Sequence, residues 1–418
     1  MRPELRRAAI QGDRTLCSDS VPRIEHPKRP KQVHPFPARM APELALTALK
    51  RAPNDAVVLD PMCGSGTVLK HARERGMSAI GFDIDPLAVL VSRVACSHVD
   101  EGMLWKAASA LVAEARQVGV VELPWIDEDS DTAAFVRFWF YARQRESLRK
   151  LAVLLHTRRG KIADALRVAL SRTIITKDTG ASRARDVSHS RPHRVRTTNS
   201  FDVYAGFLRA VEQIAPLINA PKPGNVYVAR GDARRLPRTL RESVDLVVTS
   251  PPYLNAIDYL RGHRMSLVWL GYNIGDLKLL RSISVGAERA PDPATLKSPL
   301  EPSRNPHLTG QQRGMLHRYT IDTDQLMSEL AAVLRPNGEA VIVAGDSTLS
   351  GVYVRNSRII HDAAVRHGLV LVDRRSRPLP SGSRYLPPPS AAEGALSKRM
   401  RREVVMRFVR ARQEPRTA

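Results

Sequence analysis

VVLDPMCGSGTVLK, residues 57–70, changes character twice: an apolar run ends in an acid, a Gly-x-Gly turn follows, and an amphipathic stretch begins near Thr67. Glycine allows a sharp turn and a close backbone approach to a ligand, and a helix N-terminus offers N–H groups that its own turn cannot satisfy. A dinucleotide fingerprint would want a third glycine where Leu69 stands, and a P-loop would want Gly-Lys-Ser/Thr; both are missing. Gly64-x-Gly66 alone is equally what an ordinary tight strand–helix turn looks like.

The flanking sequence repeats the pattern. A strand over Ser78–Phe82 delivers Asp83 at its carboxyl end, and a strand over Val226–Ala229 runs into Gly231-Asp232-Ala233. An acid at the first place accepts both hydroxyls of a ribose, and one at the second accepts an adenine amino group. Strand ends at Asp60, Asp83 and Asp232 thus describe a nucleoside site, against the alternative of three unrelated helix caps. Helices are expected at Pro42–Lys50, Val68–Arg75, from Pro86, at Asp324–Leu334 and at Arg358–His367, with further strands at Ala56–Leu59, Val244–Val248, Ala340–Ala344, Val370–Asp373 and Val404–Val409. Strands alternating with helices predict an α/β fold with a mostly parallel sheet.

Residues 1–33 read as an irregular basic arm, with eight Lys/Arg against four Asp/Glu. Residues 34–99 and 225–410 carry the α/β rhythm, and 411–418 form a tail. Between them, 100–224 reads as a helical, basic insert anchored by Trp105, Trp125 and Trp139, and 281–320 reads as loop-rich. Across 418 residues, 65 Lys/Arg against 42 Asp/Glu leave a formal charge of +23, which makes a polyanion the expected partner, nucleic acid first. The basic loop 176–199 concentrates Lys177, Arg183, Arg185, Arg191, Arg194 and Arg196 among short hydroxyl side chains, a mixture suited to phosphate, although charge runs are also ordinary solvated surface. Three cysteines without CxxC spacing suit a reducing compartment, hence a cytoplasmic location, and argue against a zinc site. No apolar run approaches a membrane span, and the basic first residues lack the apolar core of a secretory signal.

A second stretch, VDLVVTSPPYLNAIDYL (244–260), begins as a buried strand and stops at Thr249-Ser250-Pro251-Pro252-Tyr253. Proline cannot donate to a ladder, so the strand ends there in a rigid corner.

Taken together these residues resemble the S-adenosylmethionine (AdoMet)-dependent DNA amino-methyltransferases. Asp60-Pro61-Met62-Cys63-Gly64-Ser65-Gly66-Thr67 resembles that family's AdoMet motif, where phenylalanine is more usual than Met62. Thr249 to Tyr253 resembles its catalytic motif, and His34-Pro35-Phe36-Pro37-Ala38-Arg39 the segment that closes over the cofactor's methionine end. The resemblance covers residues 34–99 and 225–410. It implies a Rossmann-like methyltransferase fold with a seven-stranded sheet, and AdoMet contacts from Phe36, Asp60, Met62, Gly64, Gly66, Thr67, Asp83, Asp232 and Thr249. It also implies catalytic roles for Ser250, Pro251, Pro252 and Tyr253. The implied partner is double-stranded DNA with a base flipped out, with a restriction endonuclease or defence system as a further partner. Serine at the first motif position favours cytosine N4 over adenine N6. Methylation of the cytosine ring carbon is set aside, because it needs a cysteine nucleophile and none lies beyond Cys96. The familiar orders place the recognition domain elsewhere, so which segment reads sequence stays open. So do a structured RNA substrate and an inactive nucleic-acid-binding fold.

Overall fold

A computed structural model describes residues 32–36, 40–174, 179–185, 193–194, 198–219, 221, 223–254, 259–286, 308–349, 352–378 and 402–412. The chain begins with α1 (Pro42–Leu49), β1 (Val57–Asp60), α2 (Thr67–Glu74), β2 (Ser78–Asp83) and α3 (Pro86–Ala95). A helical stretch follows: α4 (Glu101–Gln117), α5 (Pro124–Asp127), α6 (Ser130–Trp139), α7 (Ala142–Thr157) and α8 (Lys161–Ile174). A short ladder of β3 (Ala184–Arg185) with β4 (His193–Arg194) precedes α9 (Val203–Ile218). Next come β5 (Val226–Arg230), β6 (Val244–Thr249), α10 (Tyr259–Leu267), α11 (Ile274–Ile283), α12 (Gly310–Val333) and β7 (Leu334–Gly345). The hairpin β8 (Ser347–Leu349) and β9 (Val352–Val354), then α13 (Asn356–Arg366), β10 (Leu369–Pro378) and β11 (Arg402–Arg410), complete the described order.

The seven-stranded sheet runs β10-β11-β7-β6-β1-β2-β5. β5, β2, β1, β6 and β7 pair in parallel, and β11 lies antiparallel to both neighbours. The mostly parallel sheet expected from the alternating pattern is therefore present. Its central strands are buried on both faces, which is why β1 and β6 read as continuous apolar runs. Asp245 is the exception, and its carboxylate accepts from the Val57 backbone N–H (2.8 Å) and from Arg335 (2.6 Å). α1, α2 and α3 pack one face through Leu49, Leu69 and Val89, while α12 and α13 cover the other through Leu326, Leu330, Ile360 and Ala364.

One expectation fails over part of 281–320. α12 begins at Gly310 rather than Asp324, and Thr309 and Gln312 close a capping box at its start. Its buried face carries Arg318 and Asp322, paired at 3.1 Å, and Asp324, paired with Arg366 and His367 at 3.0 Å. Buried ions, paired within the helix at Arg318–Asp322 and across the fold at Asp324, erase the apolar period that marks a helix in sequence. Residues 287–307 lie outside the described residues, as do 1–31 of the basic arm.

Residues 100–224 form no separate core. Leu87 and Val91 of α3 cluster with Leu104, Leu148 and Leu166 of the helical stretch and with Met265 and Trp269 beyond β6. The join is also polar: Trp125 Nε1 donates to the Val268 carbonyl (2.8 Å), and the Ile274 N–H donates to Thr132 Oγ1 (2.7 Å). Leu87 and Leu166 are fully buried in this shared cluster. Leu87→Ala and Leu166→Ala are each expected to cost roughly 2–5 kcal/mol. Both should shift one common transition in denaturant unfolding followed by circular dichroism and by tryptophan fluorescence. Two transitions, each moved by only one substitution, would refute the shared core.

Candidate functional site

β1 and β6 are adjacent and parallel, so Asp60 and Thr249 emerge side by side at the carboxyl edge of the sheet. Thr249 Oγ1 donates to Asp60 Oδ1 at 2.9 Å, and the Met62 N–H donates to the same oxygen at 3.3 Å. Asp60 is nonetheless buried, and burial pushes its carboxyl up to about 7 against those two donors, with Asp83 adding to the rise.

The turn after β1 has the geometry its glycines suggest. Gly64 (φ +51°) and Gly66 (φ +77°) both adopt left-handed conformations, and a Cβ on Gly66 would meet Ser92 at 3.0–3.1 Å. The Gly64 N–H donates to Asp83 Oδ2 at 2.9 Å, and the Asp85 N–H donates to Asp83 Oδ1 at 3.0 Å, so β2 hands its terminal acid to the turn of β1. Burial first, and then Asp85, raise the Asp83 carboxyl to about 6. Among the described residues neither Asp60 nor Asp83 pairs with a lysine or arginine, which suits a ligand that brings its own positive charge.

Asp232 enters the same pocket differently. Arg234 grips it through Nε (2.9 Å) and a terminal nitrogen (2.7 Å), and Arg234 also reaches Asp322 (2.5 Å) and the Ile283 carbonyl (2.6 Å). Burial acts to raise Asp232, but the Arg234 hydrogen bonds outweigh it and hold the carboxyl below its ordinary value. Arg234 was not singled out in the sequence, and its proximity to Asp232 was the available signal.

Ser250, Pro252 and Tyr253 line the pocket opposite Asp60, Gly64, Asp83 and Asp232, as do Phe36, Met62 and Thr67. Ser250 Oγ and the Tyr253 hydroxyl lie 3.2 Å apart. Gly66, Thr249 and Pro251 stand behind this lining: Thr249 acts on Asp60, Gly66 shapes the turn, and Pro251 is buried. Phe36 stacks on Tyr259 (5.8 Å between centroids, 23°) and lies beside Gly64. Tyr259, after the Pro-Pro-Tyr corner, is another lining residue that sequence reading passed over. His34 has no part in the pocket; its ring bonds Ser171 at 2.8 Å and the Pro35 carbonyl at 2.7 Å. Burial, then His263 and Arg172, drive it down to about 3, so it is a neutral bridge from the N-terminal segment to α8.

Of the basic loop, Arg183 has its guanidinium 3.7 Å above the Tyr141 ring, and its N–H bonds the Trp139 carbonyl at 2.8 Å. Arg185 and Arg194 belong to the β3–β4 ladder, and Lys177, Arg191 and Arg196 lie outside the described residues, as do Pro37, Ala38 and Arg39. Ser182, expected beside phosphate, is instead buried, with its hydroxyl bonded to the Ile174 carbonyl.

The chain is 23% identical over 368 residues to the type II methyltransferase M.MvaI of Kocuria varians, covering 79% of each protein. Over 89 residues it is 34% identical to the type II methyltransferase M.MjaII of Methanocaldococcus jannaschii, covering 21% of this chain and 17% of that one. Among solved structures, a SAM-dependent methyltransferase of Methanosarcina mazei aligns over 90% of this chain and 99% of its own, at 10% identity and a TM-score of 0.33. A geranyl diphosphate C-methyltransferase of Streptomyces coelicolor, solved with S-adenosyl-L-homocysteine, aligns over 88% of this chain and 79% of its own, at 9% identity and a TM-score of 0.34. No family model matches the chain.

The Thr249 hydroxyl stabilises the ionised form of Asp60, so removing it has a defined sign. Thr249→Val is expected to raise the Asp60 pKa further above about 7, read by carbon-13 NMR titration of the labelled carboxyl. An unchanged or lowered value would mean that Thr249 does not govern Asp60.

Proposed function

We propose that the chain is a site-specific DNA methyltransferase that transfers a methyl group from AdoMet to an exocyclic base amine, cytosine N4 in the first place. The observation that carries this reading is the convergence of Asp60, Asp83 and the Ser250–Tyr253 corner on one pocket at the carboxyl edge of the sheet. The fold is the Rossmann-like one of AdoMet-dependent methyltransferases, and AdoMet is the cofactor. The residues present fit it: the Gly64 turn lines the pocket with Phe36 packed against it, and two buried carboxylates suit a cationic ligand. Asp83 would take the ribose hydroxyls, the glycine turn and Phe36 would enclose the methionine end, and Asp60 would add negative charge nearby. When bound, AdoMet supplies an electrophilic methyl group on its sulfonium.

The corner treats the other reactant. An exocyclic amine is a weak nucleophile because its lone pair is delocalised into the ring. Ser250 Oγ, on the pocket wall, accepts one of its hydrogens and draws the nitrogen towards tetrahedral geometry, and the prolines hold this acceptor without reorganisation. Tyr253 stacks on the base, which must leave the duplex to reach the pocket. Ser250 in place of aspartate supports cytosine over adenine. The similarity to the type II methyltransferase M.MvaI over 79% of the chain supports DNA as the substrate.

Phosphate contact is assigned to the α6–α7 corner. Arg137, Arg145, Arg149 and Arg183 crowd there, and Arg145 is held below its ordinary value by burial first and then by the other three. Among the described residues only Arg149 of these has a carboxylate partner, Asp127. A cluster of four like charges with one carboxylate partner among the described residues suits a polyanion.

Incubation of the protein with methyl-labelled AdoMet and DNA, followed by nucleoside mass spectrometry, is expected to yield N4-methylcytosine. N6-methyladenine would correct the base, and label in RNA alone would overturn the DNA reading. Ser250→Ala and Tyr253→Ala should each lower turnover by roughly a hundredfold with AdoMet affinity nearly intact, whereas Asp83→Ala should weaken AdoMet itself. Equal losses of cofactor affinity in all three would contradict that division of roles.

The pH dependence follows from the raised carboxyls. Asp60 and Asp83 are ionised only above about 7 and 6, and a cationic ligand binds the ionised form. AdoMet affinity should therefore rise with pH through this window and level off above it, measured by calorimetry. For DNA, Arg145→Ala with Arg183→Ala should reduce the slope of log affinity against log salt by about 1–2 while AdoMet affinity stays within about twofold. An unchanged slope would make the corner ordinary solvated surface.

A further inference from the structure

His263 lies outside every motif in the sequence, yet it sits where three functional segments meet. It is buried on α10, the helix that follows the Ser-Pro-Pro-Tyr corner. Its Nδ1 lies 2.5 Å from Asp85 Oδ2, and its ring packs 5.1 Å from that of Phe36. Nε2 is buried with no hydrogen-bond partner among the described residues, so the bond to Asp85 sets the tautomer and makes Nδ1–H the donor.

Asp85 is committed on both oxygens. Oδ1 caps α3 by accepting from the Leu87 N–H at 2.8 Å, and Oδ2 takes His263. Its own N–H donates to Asp83 Oδ1 at 3.0 Å. A run of hydrogen bonds therefore leads from α10 through the cap of α3 to the acid at the end of β2. Asp85 makes Asp83 harder to ionise, and His263, bonded to Asp85 through Nδ1, opposes that effect. Other groups are close enough to act on this cluster: Asp60 and Cys63 beside Asp83, His34 and Tyr259 beside His263, and Tyr272 near Asp85, with Arg230 and Arg93 beside Tyr272.

We propose that His263 is a positioning residue for AdoMet: its Nδ1–H holds Asp85, and Asp85 keeps Asp83 aimed into the pocket as an acceptor for the ribose. The same ring backs Phe36 against the Gly64 turn, so one side chain steadies two walls of the cofactor site from the helix that carries the base corner away. This rests on AdoMet being the ligand of the pocket.

The test compares His263→Asn, His263→Gln and His263→Leu in the full chain. Asn places its amide nitrogen where Nδ1 stood; Gln places it near Nε2, and Leu supplies no donor. AdoMet binding is measured by calorimetry from about pH 5.5 to 8.5, across the range where the pocket carboxylates titrate. Near pH 7.5, Gln and Leu should lose roughly tenfold in affinity or more, a loss typical of removing a partner that orients a ligand-binding group. The pH midpoint of binding should also move upward. Asn should stay within about threefold of the wild type, with the midpoint in place. Equal weakening in Asn and Gln, or an unmoved midpoint in Gln and Leu, would overturn the role. If Leu fails to fold by circular dichroism, the Asn–Gln comparison decides. Folded wild-type protein without saturable AdoMet binding would overturn the cofactor reading itself, and the inference with it.

Discussion

The bond from the Thr249 hydroxyl to the Asp60 carboxylate, 2.9 Å long and buried, joins the ends of two neighbouring parallel strands. It lies where the sheet order turns, with β2 and β5 on one side of β1 and β6 and β7 on the other. Ligand crevices of open parallel sheets form at that place because the connections leave in opposite directions. The glycine turn leaves from β1 and the proline corner leaves from β6. Each lines one part of the pocket, and the bond keeps the two strand ends in register. It also holds a carboxylate where burial would otherwise protonate it more completely, since a buried charge needs donors.

Around that junction the polar groups form a linked set. Asp83 takes its N–H donors from the turn of β1 and from the residue that caps α3, while Asp232 and Asp322 share Arg234 across two elements. These links tie the ends of β1, β2 and β5 to one another, to the start of α3 and to the middle of α12, so the pocket walls are fixed by the same contacts that assemble the sheet's carboxyl edge. The helical stretch 100–224 joins in through apolar packing instead, because its helices share a core with α3, α10 and α11. The corner bearing Arg137, Arg145 and Arg183 is thus built on a support whose core is continuous with that of α3, α10 and α11.

Much of the site was legible in the sequence because its residues stand at places where local chemistry is unusual. Asp60, Asp83 and Asp232 end apolar runs, Gly64 and Gly66 sit at a turn needing left-handed conformations, and two prolines end β6. Arg234, Tyr259 and His263 carried no such mark. Their places depend on pairings across the fold, such as Arg234 with Asp322 and His263 with Asp85. α12 was misjudged for a related reason: its buried Arg318, Asp322 and Asp324 look like surface residues until their partners are known. Asp232 and Thr249 were singled out for direct ligand contact. The structure ties Asp232 to Arg234 and sets Thr249 behind Asp60.

By itself the sequence determined the α/β alternation, the strands of the parallel sheet, the glycine turn and the rigid corner. These follow from local preferences: backbone freedom at glycine, its loss at proline, and the burial that makes central strands apolar throughout. The tertiary structure alone decided that the turn and the corner open on one pocket, that residues 100–224 share a core with α3, α10 and α11, and that His263 packs beside Asp85 and Phe36. Those outcomes rest on contacts between residues far apart in the chain, such as the 178 positions separating Asp85 from His263. No local preference encodes a pairing of that length; the closing of the sheet and the desolvation of its partners bring it about.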